Sequence, residues 1–324
     1  MVKAMLGKFY SNLMWPMLPN GIYCFNYHRI GDEATSQFDP NIFSCTAEQF
    51  EQHIKFYKAE FTVISVDELI IKMNSNDPMD KKYAVITFDD GYIDNYSIAF
   101  PILKKHNCTA AFYIATGYVN SPQIPWWDEI AWIIRHCNKK SIQLSNWPKP
   151  IDISTGTIIE KIRAILREFK LDESRSMADK ITELETICQC QFNEQIKETQ
   201  LFINWQQIKE MSENGMHIGS HSMSHNILSH LSVQEQTLEL QQSKIELEQQ
   251  LNEKITSLAY PVGNSTSFSE DTMNVAKEAG YELAFSFIPG IIRSFQENKY
   301  NLKRLPVNDN CNIAQLKKII VRNT

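Results

Sequence analysis

The chain has 324 residues, 43% of them hydrophobic and 11% aromatic, so it is long and apolar enough to bury a large core. Its net charge is −6 at pH 7, with acidic and basic residues mixed along the sequence, which argues against a nucleic-acid partner because phosphates attract a basic surface. Seven cysteines occur without a zinc-type CxxC pair, and no export signal is recognisable, so we expect a cytoplasmic protein.

The N-terminal segment at 9–18, which contains Trp15, allows two interpretations. No part of the sequence approaches the about 20 consecutive apolar residues that a membrane-spanning helix requires, so we expect no transmembrane segment. The segment is nevertheless apolar enough to lie against a surface. We favour packing against the rest of the fold, and peripheral contact with a membrane is the alternative.

From residue 22 to residue 115, short apolar runs alternate with segments whose apolar residues recur at helical spacing. Thr46 precedes the first helical segment and is suited to accept a hydrogen bond from its free N–H groups. The predicted elements are strands at 22–27, 61–65, 83–88 and 109–115 and helices at 47–61, Val66–Met73 and 95–106, the last despite Pro101.

Residues from about 120 to 200 break this rhythm, because they resemble consecutive helices with no strand longer than a few residues. Alternation then resumes, with helices at 205–214, Val233–Leu251 and 269–279 and strands at 216–220, 256–260, 281–287 and Leu302–Pro306. Short buried strands that alternate with helices favour a parallel sheet closed into a (β/α) barrel. We therefore predict an α/β fold with one barrel domain over residues 1–324 and a mainly helical insertion at about 120–200.

Polar sequences follow three of the predicted strands at the point where each strand ends. DDG, HSMSH and PVGN follow the strands at 83–88, 216–220 and 256–260. In a (β/α) barrel the carboxyl ends of all strands lie on one rim, and that rim carries the chemistry. The sequence therefore predicts that these three segments meet at one site.

The first two segments carry ligands for a metal ion. Asp89 and Asp90 are adjacent carboxylates, which repel each other unless a positive charge compensates. His221 and His225 are four residues apart, so two imidazoles can bind one ion. A DDG sequence alone is most often a turn and an HxxxH pair alone is seldom a metal site, but their joint position favours one. We predict that Asp90, His221 and His225 bind one divalent ion and that Asp89 faces the substrate.

The segments TFDDG, at 87–91, and HSMSH, at 221–225, resemble the first two motifs of the polysaccharide deacetylases, carbohydrate esterase family 4. The resemblance covers most of the chain except the insertion. It implies a distorted, TIM-like (β/α) barrel of the NodB-homology type. It also implies that Asp90, His221 and His225 bind the metal and that Asp89 is the general base. We expect zinc, with cobalt, nickel, iron and manganese as alternatives.

The segment AYPVG, at 259–263, is similar to the third motif of that family. In the family, the amide that follows the proline helps the metal to stabilise the oxyanion of the tetrahedral intermediate. The resemblance therefore assigns this role to the Val262 amide. It also places Tyr260 and Pro261 at the substrate.

The sequence departs from the commonest family pattern in two ways: Ala259 replaces an arginine that pairs with the base, and no histidine follows His230 to act as general acid. Both departures resemble one branch, the exopolysaccharide poly-N-acetylglucosamine deacetylases, in which the acid histidine comes from the N-terminal strand. This makes His28 the candidate acid, with a purely structural histidine as the alternative. Arg304, at the end of the last strand, is a candidate partner for Asp89.

The expected activity is metal-dependent removal of N-acetyl, or another N-acyl group, from amino sugars. The substrate would be a poly- or oligosaccharide of the cell envelope, or its lipid- or nucleotide-linked precursor. Trp126 and Trp127 are candidates for stacking on a sugar, and anchoring of the insertion is the alternative. An amidohydrolase or O-acetyl esterase acting on another substrate, a metal-dependent phosphoesterase and an inactive carbohydrate-binding relative are the other functions considered. The phosphoesterase would need a second metal or a basic clamp, and neither is visible in the sequence.

Overall fold

The structure is a computed structural model that describes residues 14–75, 77–190, 200–308 and 310–324. The strands in chain order are β1 (Gly21–Tyr27), β2 (Arg29–Ile30), β3 (Phe43–Cys45), β4 (Thr62–Val63), β5 (Lys82–Phe88), β6 (Ala111–Ile114), β7 (Ser141–Ile142), β8 (Ile151–Asp152), β9 (His217–Ser220), β10 (Ser257–Ala259), β11 (Leu283–Pro289) and β12 (Leu302–Pro306). The α-helices are α1 (Ala47–Glu60), α2 (Val66–Met73), α3 (Phe100–Lys105), α4 (Trp126–His136), α5 (Ile158–Leu171), α6 (Met177–Cys188), α7 (Trp205–Glu213), α8 (Val233–Leu251), α9 (Glu270–Glu278) and α10 (Ile313–Arg322).

Seven parallel strands form a closed barrel in the order β1, β12, β11, β10, β9, β6 and β5, and β5 pairs back to β1 along its whole length. On one side of β5, its first half pairs with β4 and its second half pairs with β6. Every residue of β1 is buried, as a strand covered on both faces requires. The predicted (β/α) barrel is confirmed, and its parallel strands place all their carboxyl ends on one rim.

The helix boundaries follow local capping chemistry. The Thr46 side chain accepts a hydrogen bond from Gln49 N, and the Gln49 side chain bonds back to Thr46 N, so the predicted cap of α1 is confirmed as a capping box. The helix predicted at 95–106 begins instead with a π-helical turn, Asn95–Ala99, and continues as α3. Pro101 lies in the first turn of α3, a position at which proline is common.

Residues outside the barrel form a second compact unit. Of the described residues, the first unit comprises those up to Gly31, those of Phe43–Asn120 and those from Phe202 onward. The second comprises Asp32–Ile42 and the described residues of Ser121–Leu201. Within the second unit, α4, α5 and α6 pack together beside the antiparallel pair β7–β8. Asp39 is buried and forms an ion pair with Arg163 of α5, which explains why 32–42 joins the helices. That the whole chain is one domain with an insertion stays a prediction.

The described part of the segment at 9–18 packs within the first unit, and residues 9–13 lie outside the described residues. The Trp15 indole N–H donates to Glu60 Oε2 at 2.9 Å, and its ring contacts Phe56 and Phe61. The favoured interpretation of packing against the fold therefore holds for Trp15. Among the described residues, no helix combines the length and the apolar character needed to cross a membrane.

A buried histidine makes the stability of the fold depend on pH. His53 of α1 is fully buried, and its Nδ1 atom lies 2.9 Å from the Tyr27 hydroxyl. Burial, opposed only by a hydrogen bond to the Cys311 backbone, lowers the pKa of His53 from 6.5 to about 4. Between pH 6.5 and about 4, His53 therefore binds a proton in the unfolded chain but not in the folded chain. The resulting stability is complete above pH 6.5 and is lost as the pH falls towards 4.

We expect the free energy of unfolding to decrease by about 3 kcal/mol from this residue alone as the pH falls through that window. Urea denaturation at a series of pH values measures it. His53→Asn is the control, because asparagine offers a non-titrating acceptor near the place of Nδ1. If the variant and the parent lose stability equally with falling pH, the assignment of this effect to His53 is wrong.

Candidate active site

The carboxyl ends of β5 and β9 bring the three predicted metal ligands together. The Nε2 atoms of His221 and His225 lie 3.4 and 3.3 Å from Asp90 Oδ1. One ligand atom from each of the three residues lies within 4.8 Å of the other two. Ligands at ~2 Å from one zinc ion are roughly 3–4 Å apart, so the two distances to Asp90 Oδ1 fit a shared ion.

The donor atoms of this cluster are arranged for a cation. His221 Nδ1 donates to the Ala259 carbonyl at 2.7 Å, which leaves the lone pair of Nε2 directed towards Asp90 in the neutral ring. Asp90 Oδ1 is buried and accepts no hydrogen bond from the described residues. Burial by itself would lower the pKa of His221, but the charges of Asp89 and Asp90 outweigh it and the pKa is raised. The cluster therefore attracts positive charge, and its residues fit a divalent metal.

Unusual backbone angles direct these side chains to one point. Asp90 and Gly91 both have left-handed φ angles, 74° and 81°, directly after β5. Ser222 and His225 have φ angles of 62° and 54° in the turn after β9. Such angles are uncommon for residues with a Cβ atom and concentrate at functional sites. At position 91 a Cβ would lie 3.2 Å from Ile114 Cδ1, so glycine suits both the angle and the space.

A buried glutamate outside the motifs fixes the histidine turn. Glu239 Oε2, from α8, accepts hydrogen bonds from Met223 N at 3.0 Å and Ser224 N at 2.8 Å. Gly117 N, after β6, donates to Met223 O at 2.8 Å. The turn between the two histidines is thus held from two sides. Nothing in the sequence distinguishes Glu239 from the other polar residues of its helix.

Asp89 is held by the arginine predicted to replace the missing family residue. Arg304 is 0% exposed, and its Nη1 and Nη2 atoms donate to Asp89 Oδ1 and Oδ2 at 2.7 and 2.8 Å. Asn26, which belongs to none of the three motifs, donates to Oδ2 at 3.0 Å. Burial by itself would raise the pKa of Asp89, but Arg304 and His221 outweigh it and the pKa is lowered. Asp89 is therefore an oriented carboxylate that stays ionised.

His28 lies between β1 and β2 at the same rim. Its ring meets the Phe287 ring edge-on, with the centroids 5.8 Å apart. Burial lowers the pKa of His28, while the charges of Asp90 and Asp89 oppose the change. The imidazole is thus within electrostatic range of both carboxylates. This placement is compatible with the predicted role of His28 as an acid, which stays a prediction.

Val262 has the most strained backbone of the third motif. Its φ angle is 62°, which is rare for a β-branched residue, and Gly263 N donates across it to Pro261 O at 2.6 Å. At position 263 a Cβ would lie 2.7 Å from Phe287 N, so this turn approaches β11 too closely for a side chain. The Val262 N–H donates to no other described residue. It is therefore a fixed donor available to a ligand.

The predicted substrate contacts through aromatic rings are not supported by burial. Tyr260 is 1% exposed, its ring stacks on Phe268 and its hydroxyl donates to Tyr300 O at 3.0 Å, so this side chain belongs to the core. Pro261 is also buried. Trp126 and Trp127 are 7% and 6% exposed at the start of α4, where their rings meet edge-on. Neither indole offers the open face that stacking on a sugar requires, and the alternative of a packing role fits them better.

Comparisons with known proteins agree with the motifs. The family model described as polysaccharide deacetylase matches residues 76–148 and 151–284, more than half of the chain. The protein YxkH of Bacillus subtilis (strain 168), which is named for the same family, is 23% identical over 260 residues, covering 80% of this chain and 64% of that protein. The poly-beta-1,6-N-acetyl-D-glucosamine N-deacetylase of Escherichia coli (strain K12) is 28% identical over 119 residues, covering 36% of this chain and 17% of that protein.

The chain therefore spans less than two thirds of the length of both relatives. Among solved structures, the Streptococcus pyogenes deacetylase PplD in complex with acetate superimposes with a TM-score of 0.61 at 20% identity, covering 93% of this chain and 99% of that one. IcaB from Ammonifex degensii gives 0.56 at 16% identity, covering 93% and 97%. At these identities the likeness is one of fold. Together with the family match, it establishes that the chain belongs to the polysaccharide deacetylase family.

Proposed function

We propose that the protein is a metal-dependent N-deacetylase that hydrolyses the acetamide of amino sugars. The observation that carries this proposal is the convergence of Asp90, His221 and His225 beside a second carboxylate, Asp89, that Arg304 keeps ionised. The three would hold a divalent ion, with zinc the first expectation. A bound ion of this kind supplies Lewis-acid chemistry to an amide carbonyl and to a water molecule.

The protein residues supply the proton transfers and the orientation. Asp89 would take a proton from the attacking water at Oδ1, which accepts only the Arg304 bond among the described residues. The water oxygen then forms a bond to the carbonyl carbon, and the carbonyl oxygen gains the negative charge. The Val262 N–H would donate to that oxygen, since its strained turn holds the donor in place.

Collapse of the tetrahedral species breaks the carbon–nitrogen bond and needs a proton on the leaving amine. His28 would supply it from its protonated imidazole, since the residue follows β1 at the rim that carries Asp89. The products are acetic acid, which ionises to acetate, and a free amino sugar. Release of the proton held by Asp89 and uptake of one by His28 then restore both residues. Without this acid the amine is a poor leaving group, so its loss should slow amide substrates most.

For the substrate, we propose a poly- or oligosaccharide with N-acetylated amino sugars, or its lipid- or nucleotide-linked precursor in the cytoplasm. The similarity of part of the chain to the Escherichia coli N-deacetylase supports an N-acetylglucosamine polymer. The seven cysteines are all free thiols, which supports a reducing compartment. An O-acetyl esterase is the second candidate, because the same residues can cleave an ester with less demand on the acid.

Acetate release from N-acetylglucosamine oligomers tests the proposal. We expect activity after addition of zinc, complete loss with a chelator and recovery when metal is restored, because the three ligands provide the binding site for the ion. The assay should include lipid-linked and nucleotide-linked amino sugars and an O-acetylated sugar of matched length. Release from the O-acetyl substrate alone favours the esterase. Release from none of them, despite bound zinc, favours an inactive relative.

A further inference from the structure

Two side chains that follow the metal ligand Asp90 in the chain hold the backbone around His28, the candidate acid. They belong to Asp94 and Asn95, four and five residues beyond Asp90. Asn95 Nδ2 donates to the His28 carbonyl at 2.7 Å, and Ser44 Oγ accepts from the His28 N–H at 3.1 Å. The backbone of His28 is thus held by side chains rather than by a neighbouring strand. Asn95 Oδ1 is buried and has no partner among the described residues, so its Nδ2 accounts for all hydrogen bonds of this amide.

Asp94 holds the residues that follow His28. Its Oδ2 accepts from Arg29 Nε at 2.8 Å, and its Oδ1 accepts from Ile30 N at 2.9 Å. The Arg29 guanidinium carbon also lies 4.3 Å from the Phe43 ring centroid, so the side chain is held by charge and by an aromatic face. The ion pair is largely buried, where truncation of one partner is costly.

These contacts join the segment that follows β5, which carries Asp89, to the segment that follows β1, which carries His28. The proposed reaction needs both residues in fixed positions. Asn95 is the first residue of the π-helical turn that follows Asp89 and Asp90 in the chain, and Asp94 is the residue before it. Local π-helical geometry is frequently found at functional sites. Asn95 thus contacts the His28 backbone directly, and Asp94 contacts the two residues that follow it. Misplacement of a catalytic group by about 1 Å can slow a reaction about 100-fold.

Resting on the proposed function, we propose that Asp94 and Asn95 are positioning residues that fix His28 for protonation of the leaving amine. Two variants test this. Asn95→Ala removes the bond to the His28 carbonyl, and Asp94→Asn keeps the shape of the side chain while removing the charge that faces Arg29. Asp39→Asn is the matched control, since Asp39 is also a buried carboxylate paired with an arginine.

The measurement compares two substrates of different leaving group. An N-acetylglucosamine oligomer must expel an amine, which needs a general acid, whereas 4-nitrophenyl acetate expels a stable phenolate, which does not. We expect both variants to lower kcat for the oligomer by about 10- to 100-fold, with KM and the rate on the aryl ester changed less than about 3-fold. Asp39→Asn should leave the ratio of the two rates unchanged.

The double variant His28→Gln/Asn95→Ala shows whether Asn95 acts through His28. We expect it to be no slower on the oligomer than His28→Gln alone, because the residue to be positioned is already gone. An equal loss on both substrates in Asp94→Asn and Asn95→Ala, or additive losses in the double variant, would overturn the proposal.

The proposed function can fail separately from the positioning role. If His28→Gln slows both substrates equally, the acid assignment fails and the role of Asp94 and Asn95 fails with it. If His28→Gln is selective for the oligomer but Asp94→Asn and Asn95→Ala are not, only the positioning role is wrong. Zinc content and the midpoint of thermal unfolding, measured for each variant, separate loss of metal or fold from both outcomes.

Discussion

Asp89→Asn is expected to lower acetate release by at least about 1,000-fold while the protein keeps its metal. The asparagine amide cannot accept the proton of the attacking water, whereas Asp90, His221 and His225 are untouched. The Arg304 guanidinium would lose its charged partner, so some stability should also be lost. Turnover and zinc content, measured on the same sample, separate the chemical defect from the structural one.

The role of Asp89 is contradicted if the variant keeps a near-normal rate with zinc bound. A loss of zinc in parallel with the loss of turnover would also count against it, because it would make Asp89 a part of the metal site. Thermal unfolding of the variant provides the control for folding. A folded, zinc-loaded and inactive protein is the expected combination.

His221→Ala should remove both the metal and the activity. His221 supplies one of three clustered ligand atoms, and its Nδ1 bond to the Ala259 carbonyl orients the ring. Loss of one imidazole from a three-residue site leaves two ligands, which is too few to retain zinc against dilution. We expect at least about a 10,000-fold loss of turnover. The measurements are the turnover rate and the molar ratio of zinc to protein after dialysis.

His217→Gln is the matched control for that variant. His217 lies at the other end of β9, where its ring nitrogens lie 2.7 Å from Ser257 Oγ and 3.1 Å from Asp67 Oδ1. Its substitution should leave zinc content and turnover near the parental values. If His221→Ala retains zinc, or if His217→Gln loses it, the assignment of the metal ligands has to be revised.

The order of the elements was predictable because its causes are local. The apolar run of β5 and the helical spacing of α2 are properties of a few consecutive residues, and so is the cap formed by Thr46. The π-helical turn at Asn95–Ala99 was not predicted, because its spacing of apolar residues differs little from that of an α-helix.

The burial of aromatic residues could not be predicted in the same way. Tyr260 belongs to the third motif, yet its ring packs on Phe268 and is buried. Trp126 and Trp127 begin an amphipathic helix and are buried. Whether an aromatic side chain is covered depends on segments far away in the sequence, and periodicity carries no information about them.

The sequence by itself determined the alternation of strands and helices, the positions of DDG and HSMSH at strand ends and, through them, the cluster of Asp90, His221 and His225. Only the tertiary structure decided which residues support that cluster. Asn26 meets Asp89 across a separation of 63 residues, and Glu239 reaches the histidine turn from another helix. The physical reason is that the spacing of ligands within a motif depends on a few consecutive residues. Which residue contacts a buried charge depends instead on how distant segments meet when the barrel closes.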